Sequence, residues 1–384
     1  MNTLLKSILA IALLAVGVDA IGADRFLSRM KRDDKNGDGR LTLAEFTGPA
    51  RLFKQLDRDG DGVLILTGSA VTLKAIREKN GPGAGNPSRT MRPGTAPQRT
   101  SVTPSRLSVK PDRENVRYGG HERHVLDIYQ PKTKDGTPTP CMIWIHGGGF
   151  RRGDKSEGRL FSRHFIQSGI TYITLNYRLS QHAIAPACFD DCARALQFIG
   201  RNAKKWNIDP ARIAVGGGSA GAGLAQWLAF NRGHVGSDSI RVSALVLLNA
   251  QTSFDFRWIR EHIPGDAWKG DGLQQLFGYS IENVAGISNE KYRLIQECSP
   301  MTYFDADSPP ILFFYRRSKD PEIAVQNAMV GIHHPIFGLE LKKRADEMDV
   351  HCEVFTVENE KDRAFYNNRW DHAVRFLKRR FQTE

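Results

Sequence analysis

Gly217-Gly218-Ser219-Ala220-Gly221 follows the apolar run Arg212-Ile213-Ala214-Val215 and opens a helical pattern that extends from Ala220 to Asn231. No other feature of the chain constrains its fold as tightly. A Gly-x-Ser-x-Gly turn between strand and helix puts the serine on a strained elbow, with its hydroxyl at the carboxyl edge of a sheet. A second glycine motif lies upstream: His146-Gly147-Gly148-Gly149-Phe150 follows the β-type run Cys141-Met142-Ile143-Trp144-Ile145. Such a loop can turn bare backbone N–H groups onto an oxyanion formed during acyl transfer. Each motif alone is a weak signal, because glycine-rich turns are common. In this order, and each behind a strand, they point to a scaffold for acyl transfer.

The surrounding pattern agrees. Strand-like runs are Val125 to Tyr129, Cys141 to Ile145, Ile170 to Tyr177, Ile213 to Gly216, Ala244 to Leu248, Pro310 to Tyr315 and His351 to Val357. Helical patterns fall at Cys188 to Trp206, Ala220 to Asn231, Phe337 to Met348 and Arg369 to Phe381. This alternation predicts an α/β domain over residues 108–384, a mostly parallel sheet with helices on both faces. Ligands then sit where the carboxyl ends of the strands meet the loops. Between Gln251 and about Pro300 the alternation stops, and Phe254, Phe256, Trp258, Trp268, Phe277 and Tyr279 crowd a segment broken by glycines and a proline. Two readings stay open there: a wall over the site, or an insertion with its own small core.

The remainder of the chain reads as three segments. Lys6 ahead of the apolar stretch Ile8 to Val18, with small residues up to Ala23, predicts an export signal over 1–23 and a secreted or periplasmic mature protein. That stretch is short for a bilayer span, so no membrane span is expected once it is removed. Residues 24–80 carry two acidic loops. Asp34, Asn36, Asp38, Arg40 (through its carbonyl) and Glu45 match the ligand positions of a twelve-residue EF-hand loop, with Gly39 at its sharp turn. Leu41 is the apolar residue that would pair one loop with the other. Asp57, Asp59, Asp61 and Val63 repeat the first half of the pattern, but Gly68 stands where the bidentate carboxylate belongs. The expected cofactor is Ca2+, structural and not catalytic, in a compact loop pair that looks like secreted dockerin-type modules. A docking partner for this module is an open expectation. Residues 81–107, beginning Gly81-Pro82-Gly83, read as a disordered linker.

The formal net charge of +12 is spread along the chain. No basic stripe with interleaved aromatics accompanies it, so a nucleic-acid partner is not expected. Five cysteines are too few and too scattered for a disulfide scaffold.

From about residue 115 onward the chain resembles the α/β-hydrolase superfamily, in particular His-Gly-Gly-Gly esterases, lipases and carbohydrate-ester esterases. The stretches that carry the resemblance are His124-Val125-Leu126-Asp127-Ile128-Tyr129-Gln130-Pro131, His146 to Phe150, Leu175-Asn176-Tyr177-Arg178-Leu179 and Asp209 through Gly221. The resemblance implies Ser219 as nucleophile and the N–H groups of Gly148, Gly149 and Ala220 as oxyanion donors, with His146 shaping the loop. It implies an acid after the strand Pro310 to Tyr315, where Asp320 is the positional candidate. Arg316-Arg317 replaces the usual short glycine turn there. It also implies a histidine base after the final strand, yet Glu358 to Phe365 contains none. The substitutes are His372, which has the better chain position, and His333 or His334, whose loop would have to fold back over the site. The expected function is that of an exported serine esterase acting on small or carbohydrate-linked carboxylic esters. The alternative is a degenerate hydrolase fold acting as a calcium-dependent binding protein. Acyl and alcohol specificity and oligomeric state are not legible.

Overall fold

Strand residues alternate between two apolar faces, and that alternation builds the core. In the strand Thr139–Ile145, Cys141, Ile143 and Ile145 point into one buried cluster, while Met142 and Trp144 point into the other. A strand covered on both faces reads as a continuous apolar run, which is why it stands out in the sequence. The computed structural model describes residues 33–34, 40–42, 44–47, 63–67, 70–71, 109–133, 136–235, 240–325 and 327–382. The chain divides into two units, Met1–Arg99 and Thr100–Glu384.

In the first unit, β1 (Arg40–Thr42) pairs antiparallel with β2 (Val63–Thr67), and β2 pairs with β3 (Ala70–Val71). Leu41 lies opposite Leu64, which is the eighth position of each acidic loop. The Glu45 carboxylate accepts from the backbone N–H of Thr42 at 3.0 Å and from its hydroxyl at 2.8 Å. Of the expected calcium ligands, Asp34, Arg40, Glu45 and Val63 are described. Asn36, Asp38, Asp57, Asp59 and Asp61 lie outside the described residues, as do the export segment 1–23 and the linker 81–107.

The second unit holds an eight-stranded sheet of β4 (Arg113–Arg117), β5 (Val125–Tyr129), β6 (Thr139–Ile145), β7 (Thr171–Leu175), β8 (Ile208–Gly218), β9 (Val242–Leu248), β10 (Ile311–Phe314) and β11 (Cys352–Phe355). Their order across the sheet is β11-β10-β9-β8-β6-β7-β5-β4. The pairs β4–β5 and β5–β7 are antiparallel and the rest are parallel. The helices Ala187–Asn202, Ala220–Phe230 and Ile336–Glu347 cover one face, and Ser162–Ile166 with Arg369–Phe381 cover the other. Among the described residues no helix is long and apolar enough to cross a membrane. All five cysteines are buried free thiols.

Two buried charge clusters brace the stretches around the site. Asp191 takes a fork from Arg178, with Nη2 to Oδ1 at 2.7 Å and Nε to Oδ2 at 2.9 Å, and the His124 ring lies 2.8 Å away. Lys155 reaches the fully buried Asp127 at 2.7 Å. Removing one partner of such a buried pair strands the other charge, which makes these residues scaffold.

Between β9 and β10 the aromatic segment forms the helices Phe256–His262, Asp271–Phe277 and Asn289–Cys298. Among the described residues the segment has no separate core, and part of it walls the site. Phe254, Phe256, Leu273, Leu276 and Phe277 are buried and continuous with the main core, while Lys269 to Leu273 form a wall of the cleft described next.

Candidate active site

Ser219 stands where β8 passes into the helix Ala220–Phe230. Its backbone has φ 53° and ψ −119°, a conformation that costs a non-glycine residue about 1–3 kcal/mol. The sheet holds it there: Ser219 N–H donates to Leu248 O at 2.8 Å, and Ser219 O accepts from Ala222 N–H at 2.9 Å. The elbow works only if the helix comes very close to β6. A Cβ at position 221 would lie 2.1 Å from the Ile145 carbonyl oxygen, so Gly221 is obligatory. The motif glycine at 221 thus has a packing cause.

The oxyanion loop is built by the same means. Gly148 has φ +108°, and a Cβ there would lie 2.1 Å from Arg152 O. Its carbonyl accepts from the N–H groups of Arg151 and Arg152, both at 3.2 Å, which closes a tight turn. Among the described residues no backbone acceptor takes the N–H of Gly148, Gly149 or Ala220. Gly148, Gly149 and Ala220 line the cleft together with Ser219, as an oxyanion hole requires.

His146 is a loop former. Its buried ring stacks on Tyr177 at 4.4 Å, and Nδ1–H donates to Gly147 O at 2.8 Å. Burial, with Arg123 adding to it, lowers its pKa to about 4 despite that hydrogen bond. Arg123 was invisible as a functional residue in the sequence. It donates to His146 Nε2 at 3.2 Å, to Gly153 O at 2.9 Å and to Tyr177 O at 2.7 Å, and so staples the loop to the segment after β7.

The histidine beside the nucleophile is His333. Its Nε2 lies 2.7 Å from Ser219 Oγ, and its Nδ1 lies 2.8 Å from the carbonyl oxygen of Met329. A carbonyl can only accept, so Nδ1 carries the proton and Nε2 offers its lone pair to the serine hydroxyl. Burial lowers the pKa of His333, and the charge of Arg317 lowers it further. Both effects favour the neutral ring.

His333 follows the short helix Ala328–Gly331, whose N-terminus Asn327 caps by accepting from Val330 N–H at 2.9 Å. Gln251, buried at the end of β9, fixes the loop from below. Its side-chain amide donates to Ile332 O at 2.7 Å, and its main-chain carbonyl accepts from the Gln226 amide at 2.9 Å. No spacing rule in the sequence singles out Gln251. A polar residue just past a strand end was the only hint.

His372 and Asp320 are placed elsewhere. His372 lies on the C-terminal helix with its ring 3.7 Å from that of Phe365, packed toward β11. The Asp320 carboxylate caps the helix Pro321–Ala324 by accepting from Glu322 N–H at 3.1 Å. Among the described residues no hydrogen bond joins either to Ser219 or His333, so both assignments give way to His333 and the Met329 carbonyl. His334 points away: its Nε2 lies 2.9 Å from Asp320 O, and it braces the loop. The histidine within hydrogen-bond reach of Ser219 thus comes from the connection after β10, one strand earlier than the expected base, and a main-chain carbonyl stands where a carboxylate was sought.

The cleft in front of Ser219 holds about 410 Å³. Phe150, Leu273, Ala328, Met329 and Ile332 supply its apolar surface, and Arg151, Arg152, Lys269 and Asp271 supply its charges. An apolar pocket with a few convergent polar groups suits a small organic ligand.

Comparison with known proteins agrees with this geometry. A family model described as BD-FAE matches residues 126–330. Among curated relatives, the probable carboxylic ester hydrolase LipM of Mycobacterium tuberculosis is 28% identical over 224 residues, covering 56% of this chain and 49% of that protein. The carboxylesterase NlhH of the same organism is 32% identical over 116 residues, covering 30% of this chain and 36% of its own length. The chain thus spans half or less of these relatives. Among solved structures, a truncated carbohydrate esterase from gut microbiota matches 71% of this chain and 97% of its own, with TM-score 0.56 and 20% identity. A bacterial heroin esterase matches 71% and 84%, with TM-score 0.53 and 21% identity. At such identities the likeness is one of fold, and the fold is that of the α/β-hydrolases.

Proposed function

This chain belongs to the BD-FAE family, and on that premise we propose that it is a serine esterase cleaving small or carbohydrate-linked carboxylic esters through an acyl-enzyme. The observation that carries this reading is the 2.7 Å contact between Ser219 Oγ and His333 Nε2, in a cleft walled by the oxyanion loop. The names of the relatives, carboxylic ester hydrolase and carboxylesterase, support the reaction class.

The proposed chemistry follows from the hydrogen bonds. Ser219 donates its proton to His333 Nε2 as Oγ attacks the ester carbonyl. The oxygen that gains charge meets the N–H groups of Gly148, Gly149 and Ala220 and the positive end of the helix that begins at Ala220. His333 returns the proton to the departing alkoxide, leaving an acyl-serine and an alcohol. It then takes a proton from water as the water oxygen attacks the acyl-serine; the acyl–Oγ bond breaks, His333 returns that proton to Ser219 Oγ, and the carboxylic acid is freed. The Met329 carbonyl orients the imidazole and faces the imidazolium that forms. It carries no full negative charge, so it stabilises that cation less than a triad aspartate would.

The proposal is tested with a fluorophosphonate probe and an acetyl ester. The intact protein should be labelled and should hydrolyse the ester, and Ser219→Ala should do neither. No labelling of the intact protein, or equal hydrolysis by the variant, would sink it. The Ser219–His333 contact favours turnover over the binding-only alternative, whose motive was a missing base.

We further propose that the N-terminal loops bind calcium in an exported protein. The pairing of Leu41 with Leu64 at equivalent loop positions supports the first part. Asp34, Glu45 and the Arg40 carbonyl, with Asn36 and Asp38, would hold the ion, which supplies rigidity and no chemistry. Calorimetry of the full chain should give heat with a Kd of about 10⁻⁴–10⁻³ M. Asp34→Ala should weaken it, and an absence of heat would remove the role. Mass measurement of the mature protein should place its start near Asp24.

A further inference from the structure

The turn that builds the oxyanion hole also carries two arginines. Arg151 and Arg152 both donate backbone N–H to Gly148 O at 3.2 Å, so the backbone from which their guanidinium groups extend is fixed relative to the reacting carbonyl. Both line the cleft, and Lys269 joins them from the insertion between β9 and β10. Asp271 is the one acid lining this cleft among the described residues.

The three cations differ in what they already hold. Arg151 Nη1 lies 3.6 Å from Asp271 Oδ2. Lys269 Nζ lies 2.8 Å from Asp266 and 5.2 Å from the Trp268 ring centre. The Arg152 guanidinium has neither an ion pair nor a hydrogen bond among the described residues. The neighbouring insertion is held close: a Cβ on Gly272 would lie 3.0 Å from Gly149 O. The cleft thus combines an apolar interior with a positively charged rim whose arginine at 152 has open hydrogen-bonding capacity.

We propose that the enzyme prefers esters bearing a carboxylate, and that Arg152 is the residue that recognises it, aided by Arg151. This rests on the esterase reading and names its substrate class. A guanidinium matches a carboxylate with two parallel N–H donors, which gives orientation as well as attraction. The carboxylate can sit on the acyl side, as in a hemisuccinate, or on the alcohol side, as in an acetylated uronic acid. The bond that breaks is the same ester bond in both.

The test compares matched pairs on the full-length enzyme: 4-nitrophenyl hemisuccinate against 4-nitrophenyl butyrate, and O-acetyl glucuronic acid against O-acetyl glucose. Kcat/KM should favour the carboxylate in one pair by about tenfold, and that pair identifies the side. The preference should shrink as salt rises, because the rim is solvent-exposed. Arg152→Gln should erase most of the ratio, and Arg152→Lys should retain part of it. Equal kcat/KM within both pairs, or a ratio untouched by Arg152→Gln, would overturn the inference. Calorimetry of Ser219→Ala with the same four esters reads binding without turnover. If the wild type hydrolyses none of them, the esterase reading falls, while tighter binding of the carboxylate member still supports Arg152 and equal binding removes it.

Discussion

The two halves of the proposed catalytic pair are held by different means. Ser219 sits at the end of a central strand and is locked by backbone contacts, the N–H bond to Leu248 and the close approach of Gly221 to Ile145. His333 sits on a loop, positioned by side chains and short turns: the Asn327 cap, the Gln251 amide and the Met329 carbonyl. A backbone-built half leaves a motif in the sequence, because only certain residues fit its geometry. A side-chain-built half leaves almost none. The contrast also implies that the base half is the easier one to disturb without unfolding the protein.

The strongest way to break this comparison is to remove the base. His333→Ala should lower kcat by about 10⁴–10⁶-fold, as loss of a catalytic base does in serine hydrolases. His372→Ala should stay within about twofold, since its ring packs on Phe365 away from the nucleophile. Steady-state kinetics on an acetyl ester decides between them, and equal losses would return His372 to the site.

Gln251→Leu comes next. It removes the donor to Ile332 O, and misplacement of the base by about 1 Å can cost up to about 100-fold in kcat. Fluorophosphonate labelling should slow in parallel while the unfolding midpoint changes little. A large fall in that midpoint instead would make Gln251 a general support.

Asp320→Asn should be milder still. Asparagine caps a helix about as well as aspartate, so kcat should stay within about threefold, against about 10⁴-fold for a triad acid. A loss of that larger size would put Asp320 back beside the base.

The smallest effect is in pH dependence. Burial and Arg317 hold the pKa of His333 below the ordinary value of about 6.5. The base must be neutral, so kcat/KM falls as pH drops through that pKa, and its acid limb should lie below about 6.5. Arg317→Gln removes a positive charge that disfavours the imidazolium, which should move the limb upward. A limb at or above the ordinary value in the intact enzyme would contradict the burial of His333.

Much of the fold was legible because burial on both faces writes continuous apolar runs. Val125 to Tyr129 is matched residue for residue, the ends of β6, β7, β9, β10 and β11 fall within about two residues of their expected spans, and β8 begins earlier, at Ile208. The strand Arg113–Arg117 was missed because it is an edge strand with mostly exposed side chains, so its sequence carries no apolar signal. The helices between β9 and β10 were missed because they are short and interrupted by glycines. The elbow and oxyanion loop were legible down to single residues.

What the sequence alone determined is the strand-to-helix turn at Ser219 and the glycine loop at 147–149, because backbone geometry at those points excludes other residues. What only the tertiary structure decided is the base. Ser219 and His333 meet because β8, β9 and β10 lie side by side in the sheet, so that the connections at their carboxyl ends share one edge. That adjacency is set by long-range pairing, and a histidine in a loop looks the same in sequence whether it faces a serine or water.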